Sequence, residues 1–390
     1  MSLASEILAR RMRLPRARTR DVICRRDLPA TMDDGPVLLA DRWVARDSED
    51  HPQPTVLVRS PYGRRQIVGL LFGRLLAERG FQVVIQSVRG TFGSGGSFAP
   101  FDERPDGLAT LRWLRSQPWH AERIGMIGPS YLGLVQWAVA ADAGDDLAAL
   151  AIGVSASQFH GQTYAGGSLS LETIGSWLAI VSAQESRLGP IAIGRTLRRL
   201  SSMIADLPLA DLDQRAIGAE VPWFRQGFAS PLREGPYWTT RDFSAGVTRV
   251  RAPVQFVGGW YDILLPWMLE DFTVLQAAGR HPQLLIDRGR TPLRAWWRPG
   301  IAMASPGCAP ICWATTVCVA GRPCGCWSPA SARGVAGATS RAGLRPPAPS
   351  GTCGSVPTDH WSTTRRRGVG RRTTGMTRLI PPRRSEALCC

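Results

Sequence analysis

Short, wholly apolar runs alternate with helical patterns along most of the chain. At 68–79 and 107–116 the apolar residues recur with the period of an amphipathic helix. Continuous apolar runs are typical of strands buried on both faces. Their alternation with helices predicts an α/β fold with a parallel sheet covered on both sides. The six predicted strands are 55–58, 82–85, 124–127, 147–154, 254–257 and 283–286.

Two regions depart from this alternation. Residues 30–43 contain D-D-G followed by V-L-L-A-D, which predicts an antiparallel hairpin at the edge of the sheet. From 158 to 245 helical stretches replace strands, which predicts a helical cap inserted between two strands. Four aromatic residues of this region look exposed and either line a pocket or form the core of the cap. They are Trp177, Trp223, Tyr237 and Trp238.

The sharpest motif is G-P-S-Y-L-G at 128–133, between a buried strand and an apolar helix at 134–141. A nucleophilic serine of the α/β-hydrolase fold needs a strained turn at the carboxyl end of a strand, with small neighbouring residues. The helix behind the turn offers free N–H groups to an oxyanion. We therefore predict Ser130 as a nucleophile, the alternative being an incidental serine at a strand–helix junction.

A triad acid should follow later in the chain. The strand at 254–257 ends in G-G-W-Y-D, which puts Asp262 one turn beyond a strand end, on the same sheet edge as Ser130. The alternative is that Asp262 caps the helix predicted at 264–276. On these residues alone both interpretations stay open.

These motifs resemble the family of cocaine esterase, the α-amino-acid ester hydrolases and the X-prolyl dipeptidyl peptidases. The resemblance covers residues 30–286, and its five blocks occur in the order of that family. The blocks are R-S-P-Y-G at 59–63, V-R-G-T-F-G-S-G-G-S-F at 88–98, D-G-L-A-T-L-R-W-L-R-S-Q-P-W at 106–119, G-P-S-Y-L-G and G-G-W-Y-D.

The resemblance implies an α/β-hydrolase fold and two-step acyl transfer without a metal or organic cofactor. It implies Ser130 as the nucleophile and Asp262 as the triad acid. It also implies two oxyanion donors, the backbone N–H of Tyr131 and the hydroxyl of Tyr62. Leu132 departs from the family, where glycine is common, and is expected to tighten the turn.

Two other motifs are interpreted as structural. The glycine-rich loop 90–96 lacks the lysine of a phosphate-binding loop. Asp102, Glu103 and Asp106 could suggest a metal cluster, but charge at a helix N-terminus and surface exposure explain them better.

No histidine has the position that a triad base requires. His51, His120 and His160 all precede Asp262, against the usual order of the fold. His281 precedes the strand at 283–286 and belongs at the opposite end of the sheet, although it is the first substitute if no other base exists. His360 lies in a C-terminal part of different composition.

That composition changes near residue 287. The net charge of +16 would favour a nucleic-acid partner, but residues 287–390 hold 16 of the 47 basic residues, three of the 31 acidic ones and eight of the nine cysteines. We interpret these residues as the product of a shifted reading frame. With codons typical of a GC-rich gene, restoring one base after the codon for Ile286 yields G-P-W-A-H, and the resembled family ends this segment with its catalytic histidine.

Two alternatives for this tail stay open. It could be a disordered basic segment, or it could hold zinc through cysteines whose spacing fits ordinary zinc ligands poorly. Those cysteines are Cys308, Cys312, Cys324 and Cys326.

We therefore expect a hydrolase core at 1–157 and 246–286, a cap at 158–245, and a disordered tail at 287–390 in place of the family's C-terminal β-sandwich. The expected substrate is a small-molecule ester or an amide, as in X-prolyl dipeptidyl peptidases, with activity impaired by the missing histidine. The alternatives are an inactive binding protein and a nucleic-acid binder acting through the tail. Nucleic acid is not the expected partner, because most of the excess positive charge lies in residues 287–390. A membrane is not expected either, because no apolar run of about 18 residues occurs. One cysteine before residue 287 indicates the cytoplasm.

Overall fold

The computed structural model describes residues 3–120, 122–287 and 317–319. All of these residues belong to one compact unit, Met1–Ser331. The predictions for the rest of the tail, including its zinc alternative and His360, lie outside the described residues.

A mixed sheet forms the centre of the described chain. Its strands are β1 (Val22–Thr31), β2 (Val37–Ala45), β3 (Thr55–Ser60), β4 (Gln82–Ser87), β5 (Ile124–Pro129), β6 (Leu147–Gly153), β7 (Val254–Gly259), β8 (Gln283–Asp287) and β9 (Val317–Val319). They lie in the order β1-β2-β4-β3-β5-β6-β7-β8-β9, and from β4 to β9 all neighbours are parallel. The six predicted strands are confirmed as β3 to β8, with ends within two residues of prediction.

The predicted edge hairpin is also confirmed and is longer than its sequence signal. β1 pairs antiparallel with β2, and β2 pairs antiparallel with β4. The turn closes through a hydrogen bond from Met32 N–H to Pro36 O, and Gly35 has a φ of 103° that favours glycine. The hairpin therefore extends the parallel sheet at the edge beyond β4.

Helices cover both faces of the sheet. Alternate residues of β3 and β4 enter two separate apolar clusters, because successive side chains of a strand point to opposite faces. Helix α5 is buried along its whole length, as expected for a helix that is apolar all round. Outside the long insertion the helices are α1 (Leu3–Arg11), α2 (Gln66–Val68), a π-helical segment (Gly69–Arg74), α3 (Leu75–Ala77), α4 (Arg104–Arg115), α5 (Tyr131–Ala140) and α12 (Leu265–Ala277).

Six helices lie between β6 and β7, where the sequence predicts a cap. They are α6 (His160–Thr163), α7 (Leu171–Ala183), α8 (Gly189–Ala205), α9 (Leu212–Ile217), α10 (Pro222–Phe228) and α11 (Pro236–Thr239). They have an apolar cluster of their own around Leu178, Met203, Leu212 and Phe224. The insertion is therefore a packed helical layer, and it contacts the loops after β3 and before α4.

Four residues assigned to the tail, Asp287 and 317–319, lie in strands of the described sheet. β9 pairs in parallel with β8, and β8 itself extends to Asp287, the first residue assigned to the tail. Within the part of the chain that is described, no helix combines the length and apolarity needed to cross a bilayer.

Candidate active site

The junction at Ser130 is packed too closely for side chains at its glycines. β5 ends at Pro129, and α5 begins at Tyr131. A Cβ at Gly128 would lie 2.2 Å from Leu132 Cβ, and one at Gly133 would lie 2.4 Å from Ser155 Cβ. Both glycines therefore permit the close approach that a sharp strand–helix turn needs. Leu132 forms one wall of this contact, in agreement with the expected tightening.

Ser130 has a backbone conformation that residues other than glycine rarely adopt. Its φ is 55° and its ψ is −123°, which costs on the order of 1–3 kcal/mol. A hydrogen bond of 2.8 Å from Ser130 N–H to Gly153 O ties the turn to β6. Although Ser130 is the N-cap residue of α5, its hydroxyl makes no capping hydrogen bond. The positive φ at a non-glycine residue between a strand and a helix is what favours a nucleophile.

Tyr131 belongs to a buried polar network. Its hydroxyl donates to Glu103 Oε1 at 2.6 Å and accepts from Phe101 N–H at 3.0 Å. Glu103 Oε2 accepts from Arg59 Nη1 at 2.8 Å, and the Arg59 side chain is fully buried. Burial raises the pKa of the Glu103 carboxyl, and the Arg59 charge opposes this shift. The network fixes Tyr131 in the first turn of α5, where backbone N–H groups have no acceptor within the helix.

Glu103 and Asp106 lie at the N-terminus of α4 as predicted, but both are buried, so their assignment to the surface is wrong. Glu103 is 3% exposed, and Asp106 is 4% exposed and binds Arg89 at 2.6 and 3.0 Å. The physical reason is that a buried guanidinium, such as that of Arg59 in β3, requires a counter-charge. An arginine within the apolar run T-V-L-V-R-S is the signal that could have revealed this network. Among the described residues no group of three or more His, Cys, Asp or Glu could hold a metal ion.

The glycine-rich loop 90–96 follows β4 and makes hydrogen bonds to both β2 and β4. Gly90, Gly93 and Gly96 all have positive φ. Within the loop, Ser94 Oγ accepts from Leu39 N–H at 3.0 Å and donates to Ser87 O at 2.9 Å. These contacts agree with the structural interpretation of the loop.

Tyr62 follows β3, which is the neighbour of β5. Leu57 is paired with Met126, and continuing that register places Ser60 level with Pro129. Parallel neighbours lie about 4.8 Å apart, so Tyr62 and Ser130 emerge side by side at the carboxyl edge of the sheet. The Tyr62 hydroxyl accepts a hydrogen bond of 3.1 Å from Trp177 Nε1 on α7. Burial raises the pKa of this hydroxyl, which keeps it protonated.

Asp262 lies on the same edge, in the loop between β7 and α12. Its Oδ1 accepts from Leu264 N–H at 2.9 Å, so part of the helix-capping alternative is realised. That contact uses one of the two carboxylate oxygens. Burial raises the pKa of Asp262, which lies two strands from Ser130, with β6 between. Two strand spacings of about 4.8 Å each leave room for a side chain between the acid and the serine.

The described histidines do not join Ser130 to Asp262. His51 is exposed, and His120 precedes β5 at the amino edge of the sheet. His160 lies in the insertion, where its Nε2 is 2.8 Å from Pro231 O and its ring stacks on Tyr164. His281 is exposed before β8, at the opposite end from Asp262, which makes it unsuitable as a substitute base.

A small, open apolar recess lies between the insertion and the loop before α4. All four predicted aromatics of the insertion line it, and they also pack in or against the apolar clusters, so both alternatives are realised. Trp238 is buried and the other three are half-buried, so the expectation that they are exposed is wrong. The residues that line the recess are Phe101, Thr163, Leu169, Ile174, Trp177, Trp223, Phe224, Gly227, Tyr237 and Trp238.

The mixed sheet, the strained serine and the helical insertion define an α/β fold of the hydrolase type. A profile of the X-Pro dipeptidyl-peptidase (S15 family) matches residues 34–290. The chain therefore belongs to this family, which confirms the resemblance noted in its motifs.

Individual proteins are similar to this chain in sequence or in fold. The chain is 29% identical to a cocaine esterase of Rhodococcus sp. (strain MB1 Bresler) over 262 residues, which are 63% of this chain and 45% of that protein. A CocE/NonD family hydrolase from Staphylococcus aureus superposes with a TM-score of 0.54 at 18% identity over 72% of this chain and 49% of that one. An α-amino acid ester hydrolase gives 0.51 at 17%, over 70% and 49%. The chain thus spans about half the length of these relatives.

Proposed function

We propose that the protein is a serine hydrolase that cleaves an ester, or an amide, through an acyl-enzyme. Ser130 Oγ attacks the carbonyl carbon, the leaving group departs, and water then releases the acid from the serine ester. The Tyr62 hydroxyl and the Tyr131 N–H hold the negative oxygen of each tetrahedral intermediate. Asp262 orients and stabilises the base that removes the serine proton. The observation that carries the proposal is the strained, uncapped Ser130 between β5 and α5.

The recess is lined in part by Trp177, whose indole binds Tyr62, and it supports an ester with an apolar acyl or alcohol group. Aromatic and aliphatic side chains form nearly all of its lining, and no carboxylate belongs to it. A peptide substrate with a free α-ammonium group would need such a charge partner, because an unpaired buried ammonium is costly. An X-prolyl dipeptidase-like amide hydrolase is the second candidate, favoured by the family profile over 34–290.

We further propose that the base was lost by a single-base change near codon 287. Asp287 pairs with Gly259, and its carbonyl accepts from Trp260 N–H at 3.1 Å. β8 therefore ends beside the loop that carries Asp262. A histidine within the next few residues would reach the carboxylate, and the restored G-P-W-A-H supplies one. Sequencing the gene across codon 287 tests this directly, and a confirmed present frame contradicts it.

The nucleophile is tested by labelling the full chain with an aryl phosphonate and locating the adduct by mass spectrometry. We expect one adduct, on Ser130, and none in Ser130→Ala. Labelling is slow because losing a triad member costs on the order of 10⁴ to 10⁶ in turnover. Ser168→Ala is the matched control, since Ser168 lies in the insertion and should label like the wild type. An adduct that persists in Ser130→Ala would contradict the assignment of Ser130, whereas no adduct in the wild type would favour an inactive binding protein.

A further inference from the structure

The indole of Trp177 makes a hydrogen bond whose direction constrains the Tyr62 hydroxyl. Trp177 Nε1 lies 3.1 Å from Tyr62 Oη, and the two residues are 115 positions apart. An indole N–H can only donate, so the Tyr62 oxygen is the acceptor. The phenolic hydrogen prefers the plane of its ring, and it turns away from a donor that occupies one side of the oxygen. The Tyr62 proton is thereby left for another acceptor.

The indole itself is held by aromatic neighbours. Its ring stacks on Phe101 at 5.5 Å and 16°, and on Tyr131 at 6.0 Å and 20°. Trp223 meets it edge-on at 4.9 Å and 62°. Such contacts fix both the position and the tilt of a ring. Trp177 therefore touches the residues that carry both proposed oxyanion donors, Tyr62 and Tyr131.

A second contact joins the same helix to the same loop. Gln184 Nε2 donates to Pro61 O at 2.8 Å, about two turns of helix beyond Trp177. This contact holds the backbone beside Tyr62 but leaves the hydroxyl untouched. It therefore offers a control that separates docking of the insertion from orientation of the hydroxyl.

We propose that Trp177 is a positioning residue of the oxyanion hole, whose N–H holds the Tyr62 hydroxyl with its proton directed at the oxygen of the tetrahedral adduct on Ser130. The inference rests on the proposed function. The Trp177 hydrogen bond also lowers the pKa of Tyr62 against the opposing effect of burial. It strengthens the O–H as a donor, because hydrogen bonds in a chain polarise one another.

The test uses Trp177→Phe, which keeps an aromatic ring and removes the N–H together with part of the indole packing. The rate measured is phosphonylation of the full chain by a 4-nitrophenyl phosphonate. In this step Ser130 Oγ bonds to phosphorus, 4-nitrophenolate leaves, the serine proton passes to water, and the phosphonyl oxygen enters the hole. We expect Trp177→Phe to react about tenfold more slowly, the size of one neutral hydrogen bond. Gln184→Met should change the rate by less than about threefold, since its contact does not reach the hydroxyl.

A double-mutant cycle separates positioning from packing. In a Tyr62→Phe background the Trp177 N–H has no hydroxyl to orient, so adding Trp177→Phe should cost almost nothing more. The Tyr62 hydroxyl, titrated by its absorbance against Tyr62→Phe, should have a higher pKa in Trp177→Phe and an unchanged pKa in Gln184→Met. Additive rate losses, or an equal loss in Gln184→Met, would overturn the inference and leave the proposed function standing. Absence of any Ser130 adduct in the wild type would instead remove the proposed function, and the inference with it.

Discussion

The carboxyl edge of the sheet has two sides that differ in how firmly they are built. On the nucleophile side, the ends of β3 and β5, the Arg59 side chain is fully buried and bound to Glu103, which in turn binds Tyr131. On the acid side, the ends of β7 and β8, the Asp262 side chain accepts one hydrogen bond, and its neighbours Trp260 and Tyr261 are 52% and 77% exposed.

This difference teaches which part of the chemistry the described chain completes by itself. Buried charges with mutual hydrogen bonds fix a side-chain geometry more firmly than one hydrogen bond to a partly exposed carboxylate does. The proposed oxyanion donors and the proposed nucleophile belong to the side that is held by the buried network. The proposed acid lies on the side with fewer side-chain contacts.

Restoring the reading frame should produce the largest change, and it acts on the acid side. Inserting one base in codon 287 restores a histidine beside Asp262, and turnover of an aryl ester should rise by about 10⁴ to 10⁶. Replacing the restored histidine by alanine serves as the control and should return turnover to the starting level. Ester hydrolysis through Ser130 at full rate by the unmodified chain would contradict the prediction.

Breaking the buried network should destabilise the nucleophile side and so remove the difference between the two sides. Glu103→Gln leaves the Arg59 guanidinium buried without a counter-charge, so the free energy of unfolding should fall by about 3–5 kcal/mol. Denaturant unfolding measures this. Asp102→Asn is the matched control, because the Asp102 side chain is 38% exposed and 3.6 Å from Arg241, and such pairs contribute below about 1 kcal/mol. Equal losses of unfolding free energy in the two variants would show that the network does not stabilise the turn at Ser130.

Tyr62→Phe should affect chemistry without affecting the fold. In the frame-corrected enzyme we expect turnover to fall by about 10² to 10³, with little change in KM, because the hydroxyl acts mainly on the transition state. Steady-state kinetics on an aryl ester measure both quantities. Full turnover in the phenylalanine variant would reduce Tyr62 to a packing residue.

The acid side should also show its own pH dependence, through Asp271 on α12. Burial raises the pKa of this carboxyl to about 7, and it accepts from Ser157 N–H at 2.7 Å and from Ser157 Oγ at 2.5 Å. Ser157, Glu270 and Asp242 modify the shift. A pKa raised by folding gives stability that is complete below the unfolded value and is lost as pH rises through the folded one.

Between pH 5 and 8 the wild type should therefore lose about 2–3 kcal/mol of unfolding free energy relative to Asp271→Asn. Unfolding at several pH values measures the difference. Glu270→Gln, the exposed neighbour, should keep most of this slope. A slope of the opposite sign would mean that Ser157 and its surroundings favour the charged carboxylate.

The sequence by itself determined the strands and the turn at Ser130. β3, β4 and β7 are buried along their whole lengths, and continuous apolar runs report that condition locally. The glycines at 128 and 133 likewise signal a close approach within six residues of chain. These features are predictable because their physical cause lies in neighbouring residues.

Only the tertiary structure decided the network of Arg59, Glu103 and Tyr131, the contact from Trp177 to Tyr62 and the burial of Trp238. The paired residues lie 28 to 115 positions apart, so no local period links them. Glutamate before a helix and tryptophan in an amphipathic stretch carry the same local signal whether they face water or a partner. Their roles follow from which strand ends the parallel sheet brings side by side.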